Sequence, residues 1–504
     1  MNSSNWSEID IRIYAVLASL LLSLFTILIP DTPNADAFDY IRTAEIVLEE
    51  GLEAAFAHYS WASYPVMIAA TINLFGTDPL ISALIINTLF YAVIVFSFLS
   101  IVKEIDDAKS LLVIATITIL TYPQLNEFRY LIIRDIGFWA FSLFGLWQFI
   151  LLGKSKELKY ALGFCIAYLF AATLRAEALA YLIVIPISLL FDTRHSNEQR
   201  LRLFFQVIGI IFIAGLLLSL ALFLIEINVF ALMVEFISVY APFISNLTEP
   251  DEAKSLALSQ ALFNEYAATY SSAYLTSFIT AGLFAIIIAS LINSVGGPFI
   301  FVLLFGFFKK TYKLPKPAAA PIIAFCLTNA LIVFVFIFIT RYLASRYLMP
   351  FSLMVAFMIP LIIHRALEHT ANPTKALFTK IIIVIFFLYC AVDSYYSFGI
   401  TKSYVNDTVT WIEENTSASS VLITNNHSIA YYSGRVEDYD KTVRKVTESQ
   451  IREASVGTYI ILEMYYEVGQ LVESDNIASL LEIRANFPEG TQPRLTIYQR
   501  INPL

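Results

Sequence analysis

The sequence predicts a polytopic α-helical membrane protein whose chain ends in a small α/β domain. Of its 504 residues, 58% are hydrophobic and only 14% are charged, whereas soluble domains carry about 25% charged residues. The mean hydropathy is +0.70, and long apolar runs recur until about residue 397, where the composition changes. The net charge of −9 gives no indication of a nucleic-acid partner, so the lipid bilayer is the expected environment.

Eleven apolar segments come close to the length of about 20 residues that a spanning helix needs. No basic stretch or small-residue cleavage site marks the first segment as a cleaved signal, so we expect it to be retained. In 275–308, Gly296-Gly297-Pro298 interrupts the run, and we expect one crossing there, preceded by an amphipathic segment. The predicted spans are 11–30, 79–102, 110–124, 133–152, 160–174, 176–191, 203–225, 290–308, 318–340, 347–363 and 377–397.

Basic residues assign a side to each loop. With the N-terminus inside, Lys and Arg concentrate in the inner loops, for example at Lys154, Lys156, Lys309 and Lys310. The first loop and the C-terminal tail are then extracytoplasmic. This predicts an integral, multi-pass protein of the cell or inner membrane whose functional face looks outward.

The tail, residues 398–504, is long enough for one domain. VLITNN, TYIILEMYY and RLTIYQRI are predicted strands, and DTVTWIEENT and SDNIASLLEI are predicted helices. We therefore expect a transmembrane domain over 1–397 and a soluble α/β domain over 398–504.

The first loop, residues 31–65, is strongly acidic and has Arg42 as its one basic residue. A solvated surface helix explains such a charge run, and an active-site loop placed after the first span explains it equally. Its acidic residues are Asp31, Asp36, Asp39, Glu45, Glu49, Glu50 and Glu53.

Charged residues also mark the outer ends of later spans. Because a charge at the bilayer centre costs about 2.5–3.5 kcal/mol on insertion scales, such residues line a polar cavity or reach to the interface. For each residue considered alone, both positions remain possible: in a polar cavity or at the membrane interface. The residues are Arg134, Asp135, Arg175, Glu177, Arg341 and Arg346.

In their order along the chain, these motifs resemble the GT-C glycosyltransferases. The similar stretches are Asp36-Ala-Phe-Asp-Tyr40, Tyr64-Pro65, Arg134-Asp135, Arg175-Ala-Glu177, Arg346-Tyr347 through Pro350, and Tyr431-Tyr432-Ser433-Gly434-Arg435. Many relatives carry an adjacent Asp-Glu pair in the first loop, but here Ala37 follows Asp36.

The resemblance implies transfer of a hexosyl or pentosyl group from a polyprenyl-phosphate donor to a glycan, lipid or protein acceptor. An attacking acceptor needs a carboxylate as general base, for which Asp36 comes first and Asp39 or Asp31 are alternates. The departing phosphate needs positive charge, for which Arg346, Arg175, Arg134 and Arg341 are the candidates. Direct displacement would invert the anomeric centre.

Further residues are expected to contact substrate, although a lone histidine such as His58 is more often an interfacial residue. An aromatic belt at the interface explains Tyr59 and Trp61 equally well. Some GT-C relatives use a divalent ion and others do not, and the carboxylates of Asp31, Asp36, Asp39 and Glu45 are suitable ligands for Mg²⁺ or Mn²⁺. The expected substrate-binding set is Tyr40, His58, Tyr59, Trp61, Asp135, Glu177 and Tyr347.

Three other classes of membrane protein predict different sequence features. A lipid-linked sugar flippase or transporter predicts internal repeats and mid-span charges, and the sequence shows neither. A polysaccharide polymerase or ligase usually centres on a large late loop, whereas here the first loop is distinctive. In a non-catalytic assembly protein, Asp36 would be dispensable.

Overall fold

Helices dominate the computed structural model. It describes residues 10–28, 32–224, 252–263, 274–310, 316–369, 372–396, 402–441, 446–490 and 492–502, with isolated positions between 230 and 271. Asp31 and most of the loop 226–274 lie outside these residues. The chain divides into two units: the first holds residues 1–26, 43–129 and 133–396, and the second holds 27–42, 130–132 and 397–504.

Eight helical segments among the described residues are long and apolar enough to cross a membrane, and the chain is a multi-pass integral membrane protein. They are α1 (Ile11–Leu28), α5 (Pro79–Ile105), α8 (Asp135–Ser155), α11 (Asn197–Leu224), α13 (Leu275–Val295), α15 (Lys316–Thr340), the pair α16 (Met349–Ala356) and α17 (Met358–Glu368) that follows a 3-10 turn at Ser345–Leu348, and α18 (Pro373–Tyr395).

Shorter helices fill the rest of this part of the chain. They are α2 (Ala35–Glu49), α3 (Leu52–His58), α4 (Ser63–Phe75), α6 (Lys109–Leu120), α7 (Pro123–Asn126), α9 (Leu158–Leu174), α10 (Ala178–Ile187, continued by a 3-10 turn at Ser188–Phe191), α12 (Glu252–Phe263) and α14 (Gly297–Lys309).

The expected count of eleven spans differs from the eight helical segments of sufficient length that the described part of the chain contains. Helix α6 has 12 residues and α10 has 10, so at 1.5 Å per residue each is roughly 15–18 Å long, well short of a hydrocarbon core of about 30 Å. Counting apolar runs overlooked the turns that end these helices.

The prediction for 275–308 was wrong in its placement. The chain does break at Gly296, whose φ of 87° suits glycine, but the long apolar helix is α13 rather than 290–308. The residues 275–289, expected to be amphipathic, belong to this helix. Tyr122 fixes the break by donating a hydrogen bond to the Ser294 carbonyl oxygen at 3.0 Å and stacking on Phe299 at 4.6 Å.

Helix α8 packs against both α5 and α9, which brings distant parts of the sequence together. Gly137 permits this close approach, because a Cβ there would lie 2.5 Å from Leu174 and 2.6 Å from Phe90. Since Asp135 begins α8 and Arg175 follows α9, the same packing places these two residues side by side.

The second unit contains a four-stranded sheet in the order β1-β2-β4-β3. The β1–β2 pair is parallel and the other two pairs are antiparallel. Its elements are α19 (Ser403–Asn415), β1 (Leu422–Thr424), α20 (His427–Ser433), α21 (Glu448–Glu453), β2 (Tyr459–Glu463), α22 (Tyr466–Glu473), α23 (Asp475–Ala478), β3 (Leu481–Phe487) and β4 (Leu495–Arg500).

The three predicted strands and the helix over DTVTWIEENT are present in this unit. The predicted helix over SDNIASLLEI ends early, at Ala478, and Leu481 begins a strand that the sequence reading missed. Leu481, Ile483, Ala485 and Phe487 alternate with polar residues, which is the period of a strand.

Candidate active site

Several of the charged residues at span ends line one small cavity in the first unit. Its volume is about 20 Å³, room for roughly one water molecule. The polar lining is Asp135, Arg175, Glu177, Tyr181, Asn329, Arg346 and Tyr347, and the apolar lining is Phe138, Ile332, Val333 and Phe336.

Each charged residue reaches the cavity because a helix begins or ends beside it. Asp135 is the first residue of α8, where the positive end of the helix dipole favours a carboxylate. Arg175 has extended backbone just after α9, and Glu177 directly precedes α10. Arg346 lies on the 3-10 turn before α16.

Arg175 is held by two carboxylates. Its Nη1 donates to Asp135 Oδ1, its Nη2 donates to Glu177 Oε1 at 2.6 Å, and its Nε donates to Glu177 Oε2 at 3.3 Å. The Asp135 side chain is 3% exposed and that of Arg175 11%. All three guanidinium nitrogens are therefore engaged, and the buried Asp135 and the half-buried Glu177 compensate the cation.

Glu177 lies in the turn between α9 and α10. Two effects on its pKa oppose each other there. Burial alone would raise the pKa of Glu177, but the adjacent Arg175 guanidinium outweighs burial, and the net shift is downward. Glu177 is therefore ionised and keeps its bidentate contact with Arg175.

Two more arginines extend the network, and each guanidinium lies near an aromatic ring. Arg346 lies 5.5 Å from the Tyr347 ring centroid, and Arg175 lies 4.5 Å from the same centroid. Arg134 lies 4.9 Å from the Trp61 ring and 5.7 Å from the Tyr59 ring. These distances are within the range of cation–π contacts.

Three arginines act on one carboxylate. Arg134, Arg175 and Arg346 all interact electrostatically with Asp135. The Nη1 of Arg134 is buried and has no hydrogen-bond partner among the described residues. A buried cationic donor of this kind suits an anionic ligand.

Other predicted residues of the first unit lie elsewhere. Arg341 is exposed, has a φ of 56° and is not part of the cavity lining. His58 is exposed, and its Nδ1 lies 3.1 Å from Thr43 Oγ1.

The predicted base residues belong to the second unit. Asp36 lies in the first turn of α2 and is half-buried, Asp39 is exposed, and Tyr40 is buried. Spacings of three and four residues place Asp36, Asp39 and Tyr40 on one face of the helix. Asp31, the third candidate, lies outside the described residues.

Sequence reasoning missed Asn329 and Tyr181. Asn329 is 2% exposed within α15, and its Nδ2 donates to the Tyr347 carbonyl oxygen at 3.3 Å. The Tyr181 hydroxyl lies close enough to the Asn329 side chain for a weak hydrogen bond, although the geometry is not that of a strong one. An amide within an apolar span was the signal that could have identified this site.

No group of three or more His, Cys, Asp or Glu side chains in the described ranges is arranged to hold a metal ion. Asp31, one of the four expected ligands, is not among those residues. Binding of Mg²⁺ or Mn²⁺ therefore stays a prediction from the sequence.

Comparison with known proteins identifies the fold. No family model matches the chain, and no curated protein sequence matches it. ArnT from Cupriavidus metallidurans bound to undecaprenyl phosphate is similar in structure, with a TM-score of 0.53 and 12% identity over 99% of this chain and 98% of that one. The Archaeoglobus fulgidus oligosaccharyltransferase in complex with Zn and sulfate has a TM-score of 0.53 and 13% identity over 97% of this chain and 73% of that one. The expected GT-C-like fold is confirmed.

Removing one carboxylate from the network should destabilise the protein. We expect Asp135→Asn to lower the free energy of unfolding by about 3 kcal/mol, because the buried Arg175 loses one of its two anions. Denaturant titration in detergent micelles measures this. The control is Glu157→Gln, since Glu157 pairs with Lys159 on the surface and its loss should leave the transition unchanged. Equal stability of the two variants would show that the Asp135 contact contributes little.

Proposed function

We propose that the protein is a membrane glycosyltransferase that moves a hexosyl or pentosyl group from a polyprenyl phosphate to an acceptor glycan, lipid or protein. The observation that carries the proposal is the convergence of Arg134, Arg175 and Arg346 on Asp135, beside a cavity that Arg175 and Arg346 line. The shared fold supports it, since the similar ArnT structure is one bound to undecaprenyl phosphate.

The arginines have different parts in this proposal. Arg175 donates to Asp135 and Glu177. It therefore holds these side chains in place and adds to the positive electrostatic potential of the site. Arg346 and Arg134 bind the phosphate oxygens, for which the planar guanidinium is well suited. Because the cavity has a volume of only about 20 Å³, binding of a phosphate group requires the cavity to widen.

The reaction needs one proton acceptor. The acceptor hydroxyl or amine attacks C1 of the sugar and its proton passes to a carboxylate, while the bond between C1 and the phosphate oxygen breaks. The polyprenyl phosphate leaves as an anion that the arginines stabilise, so no general acid is needed. Asp36 is the proposed base, with Asp39 and Asp31 as alternates, and this single displacement inverts the anomeric centre.

The proposed orientation places the first loop and the C-terminal domain outside the cytoplasm, as the distribution of Lys and Arg indicates. A reporter fused after Leu504 should be active only in the extracytoplasmic compartment. A signal from the cytoplasmic compartment would contradict this orientation.

We expect Arg346→Gln to lower the rate of sugar transfer at least 100-fold, because loss of one charged donor to a developing anion costs about 10²–10³ in rate. Transfer from a panel of polyprenyl-phosphate sugars measures this. Arg341→Gln should lower the rate less than tenfold, since Arg341 does not line the cavity. Arg452→Gln, on an exposed arginine of the second unit, is the control. Equal effects at Arg346 and Arg341 would contradict the assignment.

We expect Asp36→Asn to lower the rate of transfer about 10²–10⁴-fold, the range for loss of a general base. Binding of the donor lipid should persist, because the change leaves the arginine network intact. Glu53→Gln, on an exposed carboxylate of the same loop, is the matched control. Near-normal transfer by Asp36→Asn would rule out Asp36 and direct the same test to Asp39 and Asp31.

A further inference from the structure

We propose that the C-terminal domain positions the start of α2, and with it Asp36 and Asp39, through a contact of Phe38 with Tyr431 and Tyr432. The inference rests on the proposed function in one respect, namely that these aspartates act on substrate. It assigns the soluble domain a part in the reaction, as a support for the helix that carries the base.

The contact is aromatic and buried. Phe38 is fully buried, and its ring centroid lies 5.2 Å from that of Tyr431 and 5.7 Å from that of Tyr432, the second pair edge-to-face. The two tyrosine rings are 5.6 Å apart. Tilted and edge-to-face pairs at these distances are favourable arrangements of aromatic rings.

Three polar contacts within the second unit hold the same segment on either side of Phe38. Asn34 exchanges two hydrogen bonds with the backbone of Ile132, at 2.8 and 3.0 Å. Lys402 donates to the Pro33 carbonyl oxygen at 3.2 Å. Arg42 contacts both carboxylate oxygens of Asp440, at 3.3 and 3.4 Å. Asp36 and Asp39 lie between these attachments.

The helix that presents the two tyrosines is fixed at both ends. Asn426 caps the start of α20 by accepting from the Ile429 amide, and Gly434 ends it in the left-handed conformation. Arg435 Nη1 then donates to Thr416 Oγ1 at 2.5 Å and to the Ser417 carbonyl oxygen at 3.2 Å, just beyond the end of α19. The Tyr-Tyr-Ser-Gly-Arg motif therefore builds a rigid support.

On α2, the side that contacts the two tyrosines differs from the side that carries the proposed base. At about 100° per residue, Phe38 lies roughly 200° around the helix from Asp36. The aromatic contact therefore fixes the rotation and position of α2 from the side opposite Asp36. A shift of about 1 Å in a catalytic group costs on the order of 100-fold in rate.

The test combines a local structural readout with kinetics. In Tyr431→Ala/Tyr432→Ala, amide hydrogen exchange of residues 37–42 should rise at least tenfold. The kcat for sugar transfer should fall at least tenfold, while the KM for the donor stays within twofold, because the arginine network is untouched. Tyr466→Ala, at an exposed tyrosine of the same domain, is the matched control and should match wild type in all three.

Two milder variants keep the test decisive if the double substitution fails to fold. Phe38→Leu removes the ring but keeps an apolar side chain. It should also lower kcat at least tenfold while the KM for the donor stays within twofold. Arg42→Asp should raise exchange in 37–42, and Arg42→Asp/Asp440→Arg should restore it.

The outcomes distinguish the two proposals. Unchanged exchange in folded Tyr431 and Tyr432 variants would overturn the positioning role, whatever the enzyme does. Raised exchange with normal kcat would also overturn it, since the contact would then be structural only. Absence of transfer by the wild type from every donor of the panel would instead overturn the proposed function, and with it the catalytic part of this inference.

Discussion

The ion pairs of Arg175 are the constraint on which the rest of the cavity depends. The Arg175 guanidinium joins the residue before α10 to the first residue of α8, which lies 40 positions before Arg175 in the sequence. A buried charge is tolerated only when it is paired and hydrogen-bonded. Asp135, Arg175 and Glu177 pair with one another, and Arg134 and Arg346 act electrostatically on the same Asp135.

Aromatic rings complete this arrangement. Tyr347 lies against both Arg175 and Arg346, and Trp61 and Tyr59 lie against Arg134. A ring that covers one face of a guanidinium excludes water from that face but leaves its N–H groups at the edge available for hydrogen bonds. A cation in such surroundings attracts an anion more strongly than it would in water.

Much of this could be predicted from the sequence because it depends on local patterns. Apolar runs located most of the spanning helices. Charged residues at their ends indicated Asp135, Arg175, Glu177 and Arg346, which line the cavity, and Arg134, which does not. The pairing of Asp135 with Arg175 could not be predicted, because it requires α8 and α9 to pack closely at Gly137. Asn329 was hidden in an apolar run, and α13 was misplaced because the crossing was assigned to 290–308 rather than to the helix that ends at the Gly296 break.

The edges of the small sheet determine how another chain could recognise the C-terminal domain. The strand β1 has three residues, and its outer side pairs with Val436 through an isolated bridge. On the opposite edge, β3 carries the exposed, mutually paired Glu482 and Arg484, and its register shifts between Ile483 and Ala485. Short, charged or bulged edges resist the addition of a further strand. A protein that docks on this domain must therefore recognise side chains, because neither edge offers a regular backbone template for strand addition.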